Sequence, residues 1–198
     1  MAACRPYALA VRDGHRAAWA LVVGGALQAA LYVPFTLAHG PSSVNEERAV
    51  LGADMHVWGL FLGVVPTVLL GAGVWLLRDR LAGGRRVADL GCAAVAVVLW
   101  ASAALDLAFW ALGPPFGLLV LAPALGVVAV TTRASPPLVR TFLRTLAGVL
   151  LVAAALALVP DGPDAYGVGY RVFGTLAYAA SGLLWAGLGL AVQRPPAA

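Results

Sequence analysis

The sequence contains no lysine, and charged residues make up only 11% of its 198 residues. Soluble domains carry about 25% charged and about 45–50% apolar residues. This chain is 62% apolar, with a mean hydropathy of +0.89. These proportions exclude a soluble globular protein. The use of arginine for every one of the 13 basic residues is typical of a GC-rich bacterial genome.

Cysteines and catalytic motifs are also scarce. Cys4 and Cys92 are the only cysteines and have no C-x-x-C spacing, so neither a disulfide framework nor a thiolate metal site is indicated. H-x-x-x-H, H-E-x-x-H, C-x-x-C-H, P-loop, G-x-S-x-G, Asp-rich prenyl-diphosphate and nucleic-acid signatures are missing as well. We therefore expect no metal, no haem or other cofactor, and no nucleic-acid partner.

What the chain does have is six long apolar stretches. A bilayer core about 30 Å thick needs about 20 apolar residues per helix, so six spans occupy nearly the whole chain. The first stretch is longer than the roughly 7–15 apolar residues of a signal peptide, and we interpret it as a retained span. The sequence predicts an all-α, six-transmembrane-helix bundle in one domain, 1–198. The spans are about 17–38, 54–77, 87–112, 115–131, 138–159 and 169–192.

The arginines are distributed unequally between alternate connections. With the N-terminus in the cytoplasm, eleven arginines lie inside, and only Arg48 and Arg171 lie outside. The inner side, with three acidic residues, then carries a net charge of +8. By the positive-inside rule, this predicts a multi-pass protein of the bacterial cytoplasmic (inner) membrane with both termini in the cytoplasm. The arginine belt also favours contact with anionic membrane lipids.

Polar side chains recur at helical spacing on four spans, towards the predicted outer side. Such residues usually face protein or water, because burying them in hydrocarbon is unfavourable. Spans four and five carry no such stripe and are expected to be scaffold or lipid-facing helices. The stripes are Gln28, Tyr32, Thr36 and His39; His56, Gly59, Gly63 and Thr67; Ser102, Asp106 and Trp110; and Arg171, Thr175, Tyr178 and Ser181.

We expect these stripes to form an outward-opening pocket between spans 1, 2, 3 and 6. Asp106 lies about 9 Å below the predicted outer boundary, at 1.5 Å per residue. Tuned acid–base pairs are typical of enzymes, so the hypothesis makes Asp106, His56 and Arg171 catalytic, with a lipid- or isoprenoid-like substrate. His39 is an alternative proton partner. The expected substrate contacts are Gln28, Tyr32, Thr36, His39, Trp58, Trp110, Thr175 and Tyr178.

Other interpretations stay open. Asp106 and Arg171 could form an ion pair that only sets helix register. A small-molecule or proton-linked transporter would also use an intramembrane carboxylate, and an accessory or assembly protein would have no chemistry of its own. His39 and His56 with outer carboxylates could hold a metal only if the fold assembled them. Gly59 and Gly63 form a G-x-x-x-G pair, which indicates close packing within the bundle or a homo- or hetero-oligomer contact through span 2.

Overall fold

The computed structural model describes residues 4–38, 50–109, 116–132, 136–158 and 172–193. Within these ranges the chain is helical and contains no strand, apart from an isolated bridge between Val50 and Ala53. Four elements are continuous α-helices: α1 (Cys4–Ala38), α3 (Arg86–Phe109), α4 (Phe116–Thr131) and α5 (Pro137–Ala157). Two contain a π-helical segment. They are α2, made of Met55–Trp58, the π segment Gly59–Val64 and Val65–Ala82, and α6, which covers 172–193 with the π segment Thr175–Ala180 before Ser181–Gln193.

Five of these helices are long and apolar enough to cross a membrane. The exception is α4, whose 16 residues extend about 24 Å at 1.5 Å per residue, against a hydrocarbon core of about 30 Å. The expected class, a helical membrane protein, is therefore supported. The count of six spans and the cytoplasmic position of the termini stay predictions. The five helices contain Gly14–Ala38, His56–Ala82, Arg86–Ala108, Pro137–Leu156 and Val172–Gln193.

Local signals explain where the second helix begins and ends. The backbone N–H of Val57 donates to Oδ1 of Asp54 at 2.9 Å, so Asp54 caps the N-terminus of α2. At the other end, Gly83 has a left-handed conformation with φ of 59° and donates its N–H to the carbonyl of Asp79. This C-terminal arrangement favours glycine, because other residues are strained at positive φ.

The six helices form a closed ring in chain order. Each packs on its neighbours in sequence, and α6 returns to pack on α1. The α1–α6 crossing is very close: a Cβ on Gly182 would lie 2.6 Å from the carbonyl oxygen of Gly25, and a Cβ on Gly25 would collide with Gly182. Small residues at such a crossing let two membrane helices approach backbone to backbone.

One half of the ring is filled by an apolar core. We call this half the arginine-rich end, because it carries the connection with Arg78, Arg85 and Arg86 and the start of α5 with Arg140. Its polar groups are satisfied; the buried Thr132 hydroxyl donates to the carbonyl of Leu81 at 2.7 Å. The ring is therefore closed by packing at this end. Each helix contributes a buried side chain, namely Leu21, Leu77, Val95, Leu125, Leu146 and Leu188.

Candidate functional site

A cavity of about 370 Å³ lies inside the ring, away from the arginine-rich end. Asp106, Gly117 and Phe173 line it near the opposite ends of their helices, and Leu70 and Trp185 line it at the level of the packed core. Ligand pockets in proteins are about 300–1,000 Å³, mostly apolar, with a few placed polar groups. The size and lining of this cavity fit that description.

The polar and apolar groups of the cavity lie mainly on opposite walls. α1, α2 and α6 supply most of the polar groups, whereas α3, α4 and α5 supply mostly aliphatic side chains. Ser102 and Asp106, both on α3, are the polar residues of the second wall, and Asp106 is the one ionisable acidic or basic residue apart from Tyr178 among the lining residues described. The polar wall is formed by Gln28, Thr67, Tyr178 and Ser181, and the aliphatic wall includes Val98, Leu99, Leu105, Leu118, Leu121 and Leu150.

Gln28 is the polar residue with an unmet requirement. Its side chain is only 8% exposed, and its Oε1 has no hydrogen-bond partner among the described residues. Leaving a buried acceptor unpaired costs about 1–3 kcal/mol. Ser181, by contrast, donates its hydroxyl to the carbonyl of Ala177 one turn earlier in the same helix. The Gln28 carboxamide therefore has an acceptor that a ligand in the cavity can use.

An aromatic cluster packs beside the polar wall, one turn further from the arginine-rich end. Tyr32 stacks on Tyr178, with ring centroids 5.3 Å apart and planes 12° apart, and Phe35 packs on Trp58 at 5.2 Å. The Trp58 indole N–H donates to the carbonyl of Val50 at 2.9 Å, which holds the start of α2 against this cluster. Tyr32 and Trp58, expected as substrate contacts, are buried in the cluster and do not line the cavity. Tyr178 belongs to both.

Both π-helical segments border the cavity. Gly63 lies in the first, and Ala177 and Tyr178 lie in the second. A π segment widens the helix by shifting to i→i+5 hydrogen bonds, and such segments occur frequently at functional sites. Their location on two neighbours of α1 makes this end of the ring the irregular part of the bundle.

His56 does not face the bundle, and the expected inward orientation is wrong. Its side chain is 58% exposed, with Nδ1 3.8 Å from Oδ1 of the equally exposed Asp54. The physical reason is the π segment that follows: the rotation per residue changes at Gly59, so a constant 100° step cannot place His56 on the face of Gly63 and Thr67. His56 does not line the cavity, whereas Gly63 and Thr67 do. Its catalytic role stays a prediction.

The remaining expected site residues divide into two groups. Thr36 and Thr175 lie within the described ranges but do not line the cavity. His39, Trp110 and Arg171 lie outside the described residues, so the Asp106–Arg171 pair stays a prediction. Three of the expected residues, Gln28, Asp106 and Tyr178, line the same cavity.

Two expectations about packing need adjustment. Gly59 and Gly63 are buried inside the protomer, so the G-x-x-x-G pair packs within the ring, and an oligomer through span 2 stays a prediction. The expectation that spans four and five are only scaffold was too narrow, because Leu118 and Leu121 of α4 and Leu150 of α5 form part of the cavity wall. Their uniform apolarity concealed this role, since a wall for a lipophilic ligand has the same composition as a lipid-facing surface.

Sequence reasoning did not include Thr67, Ser181 or Trp185 among the site residues. Each continues a stripe that was visible: Thr67 follows Gly63 by four residues, and Trp185 follows Ser181 by four. Extending the stripes one turn towards the arginine-rich end would have found them. The described residues contain no group of three or more His, Cys, Asp or Glu side chains that could hold a metal ion.

The fold and the cavity define a helical protein of membrane character. Comparison with models of known protein families, with curated proteins and with solved structures found no match to this chain.

Proposed function

We propose that this protein binds a lipophilic or amphipathic small molecule in the central cavity. The observation that carries the proposal is a space of about 370 Å³, with one aliphatic wall and one polar wall, inside a ring of membrane-type helices. Apolar walls stabilise a hydrocarbon ligand by contact, while a few hydrogen-bonding groups orient it.

In this proposal α4 is the sixth span, and the arginine-rich end faces the cytoplasm of a bacterial cell, as the positive-inside rule favours. The cavity then lies in the outer half of the membrane. The packed core between the cavity and the arginine-rich end supports binding over passage across the membrane. A transporter would have to open this core, in which Leu77 and Leu146 are fully buried.

A second candidate is a membrane-embedded acid–base enzyme, and the location of Asp106 favours it. Asp106 lines the cavity, so its carboxyl group is placed to give a proton to a bound lipid-like molecule or take one from it. His56 is exposed and outside the cavity, so the proposed proton donor or acceptor is Asp106 rather than an Asp106–His56 pair.

Binding is tested by filling the cavity. Leu118 lines it, whereas its neighbour Leu119 is exposed on the same helix and does not, so Leu118→Trp and Leu119→Trp form a matched pair. The proteins, purified from membranes of stated lipid composition, are compared by native mass spectrometry of retained lipophilic molecules. We expect Leu118→Trp to lose the bound molecules and Leu119→Trp to keep them. Equal retention by both variants would contradict the proposal.

Catalysis is tested with Asp106→Asn, which keeps the shape but removes the titrating proton. An enzyme converts its substrate in detergent without a gradient, and we expect the variant to keep binding and lose conversion. A transporter instead accumulates or exchanges substrate in proteoliposomes. Unchanged activity of Asp106→Asn in both assays would remove Asp106 from the mechanism.

A further inference from the structure

We infer that the ligand is a neutral amphiphile with a hydrogen-bond-donating head group, such as a long-chain alcohol, which enters head first through an opening between α3 and α4. This inference rests on the proposed function and specifies the ligand class and its orientation. Three observations carry it: the unmet acceptor on Gln28, the size of the cavity, and the position of its exposed wall.

The chemistry of the head group follows from Gln28. The Oε1 atom of this buried side chain is unpartnered among the described residues, and it is an acceptor. The terminal torsion of a glutamine is soft, so the carboxamide can turn its oxygen towards a donor in the cavity. A hydroxyl or N–H supplies that donor, whereas an ether or ester oxygen does not. A neutral head is favoured because a charged group would lose its hydration on burial.

The cavity is too small for a whole membrane lipid. At about 30 Å³ for each water-sized group, 370 Å³ holds roughly a dozen such groups. A head group and a short length of chain fill that space. The rest of a long-chain ligand must then leave the ring and lie in the surrounding bilayer.

The aliphatic wall shows where the chain leaves. Ala101 and Leu105 of α3 and Val120 of α4 line the cavity, yet all three are exposed on the outside of the bundle, Leu105 by 47% and Val120 by 54%. Residues that reach both the cavity and the outer surface mark a gap in the wall. Towards the arginine-rich end this gap closes, because a Cβ on Gly91 of α3 would lie 2.7 Å from a methyl group of Val128 of α4.

The polar wall lies on α1, α2 and α6, across the ring from this gap. A ligand that enters between α3 and α4 therefore meets Gln28 with its leading end, and its apolar chain stays between aliphatic side chains and lipid. This arrangement satisfies the buried acceptor without bringing the chain past polar groups.

Two isomeric probes test the head-group chemistry: 1-dodecanol, which donates a hydrogen bond, and methyl undecyl ether, which does not. We expect the wild-type protein in nanodiscs to bind the alcohol roughly fivefold more tightly, as one neutral hydrogen bond implies. Gln28→Leu should remove this preference. Gln193→Leu, at the other end of α6 and outside the cavity, should keep it. Equal binding of the two probes by the wild-type protein, or a preference that survives Gln28→Leu, overturns the inference.

The route is tested with two exposed alanines of α3. Ala101 lines the gap and Ala104 does not, so Ala101→Trp should slow both association and dissociation of 1-dodecanol by at least about fivefold relative to Ala104→Trp. Equal rates in the two variants would show that the ligand does not pass between α3 and α4. If the head-group and rate tests fail while Leu118→Trp still weakens binding of both probes, the proposed function stands and this inference does not.

Discussion

Replacing Gln28 by leucine should make the ligand-free protein more stable. Leucine has a volume close to that of glutamine but carries no acceptor, and the Oε1 of Gln28 is buried without a partner among the described residues. Removing an unsatisfied buried acceptor recovers its desolvation penalty of about 1–3 kcal/mol. Protein stability is often reduced at a binding site in this way, because the site keeps groups that only the ligand satisfies.

The magnitude can be measured as the free energy of unfolding in detergent. We expect Gln28→Leu to raise it by about 1–3 kcal/mol. Gln28→Ala is the matched control, because it removes the acceptor but also leaves a void, and voids of this kind lower stability. The expected order of stability is leucine, then alanine. If Gln28→Leu is less stable than the wild-type protein, the carboxamide is a satisfied structural group and the reasoning from its empty acceptor fails.

Three further substitutions test the packing of the bundle. Gly182→Ala should lower the free energy of unfolding by about 1–3 kcal/mol, because its Cβ would meet the α1 backbone, whereas Gly126→Ala, which has open space, should be neutral or stabilising by up to about 1 kcal/mol; similar losses from both would contradict the close α1–α6 crossing. Trp58→Phe should lower it by about 1 kcal/mol through loss of the hydrogen bond to the Val50 carbonyl, and an unchanged value would show that this bond does not hold the aromatic cluster. Asp54→Ala should lower it by about 1 kcal/mol, and Asp54→Asn, which keeps a capping oxygen, should recover most of that loss.

Hydropathy predicted the helices well because it is a local property. The predicted second and third spans begin within one residue of Met55 and Arg86, and the fourth ends at the predicted Thr131. Helix ends depend on caps and solvation beyond the apolar run, so they were less accurate. α1 extends back to Cys4, and α2 continues to Ala82, where Gly83 ends it.

The facing direction of each side chain was harder to predict, because it depends on an uninterrupted helical period. Across the π segment of α2 that period changes, and His56 faces outward while Gly63 lines the cavity. A second limit was composition: the leucines of α4 and α5 look the same in sequence whether they face lipid or a ligand. The tertiary contacts decide between these two environments.

The sequence by itself determined the solvent of this protein, the position of its helices and the stripes that carry its polar side chains. It did so because hydrophobic burial and helical spacing act over neighbouring residues. Only the tertiary structure decided that Gln28, Asp106 and Tyr178 line one cavity while Tyr32 and Trp58 belong to an aromatic cluster beside it. The reason is that close contacts between distant helices set the rotation of each helix about its axis. The crossing at Gly25 and Gly182 is such a contact, and its two glycines are 157 residues apart in the chain.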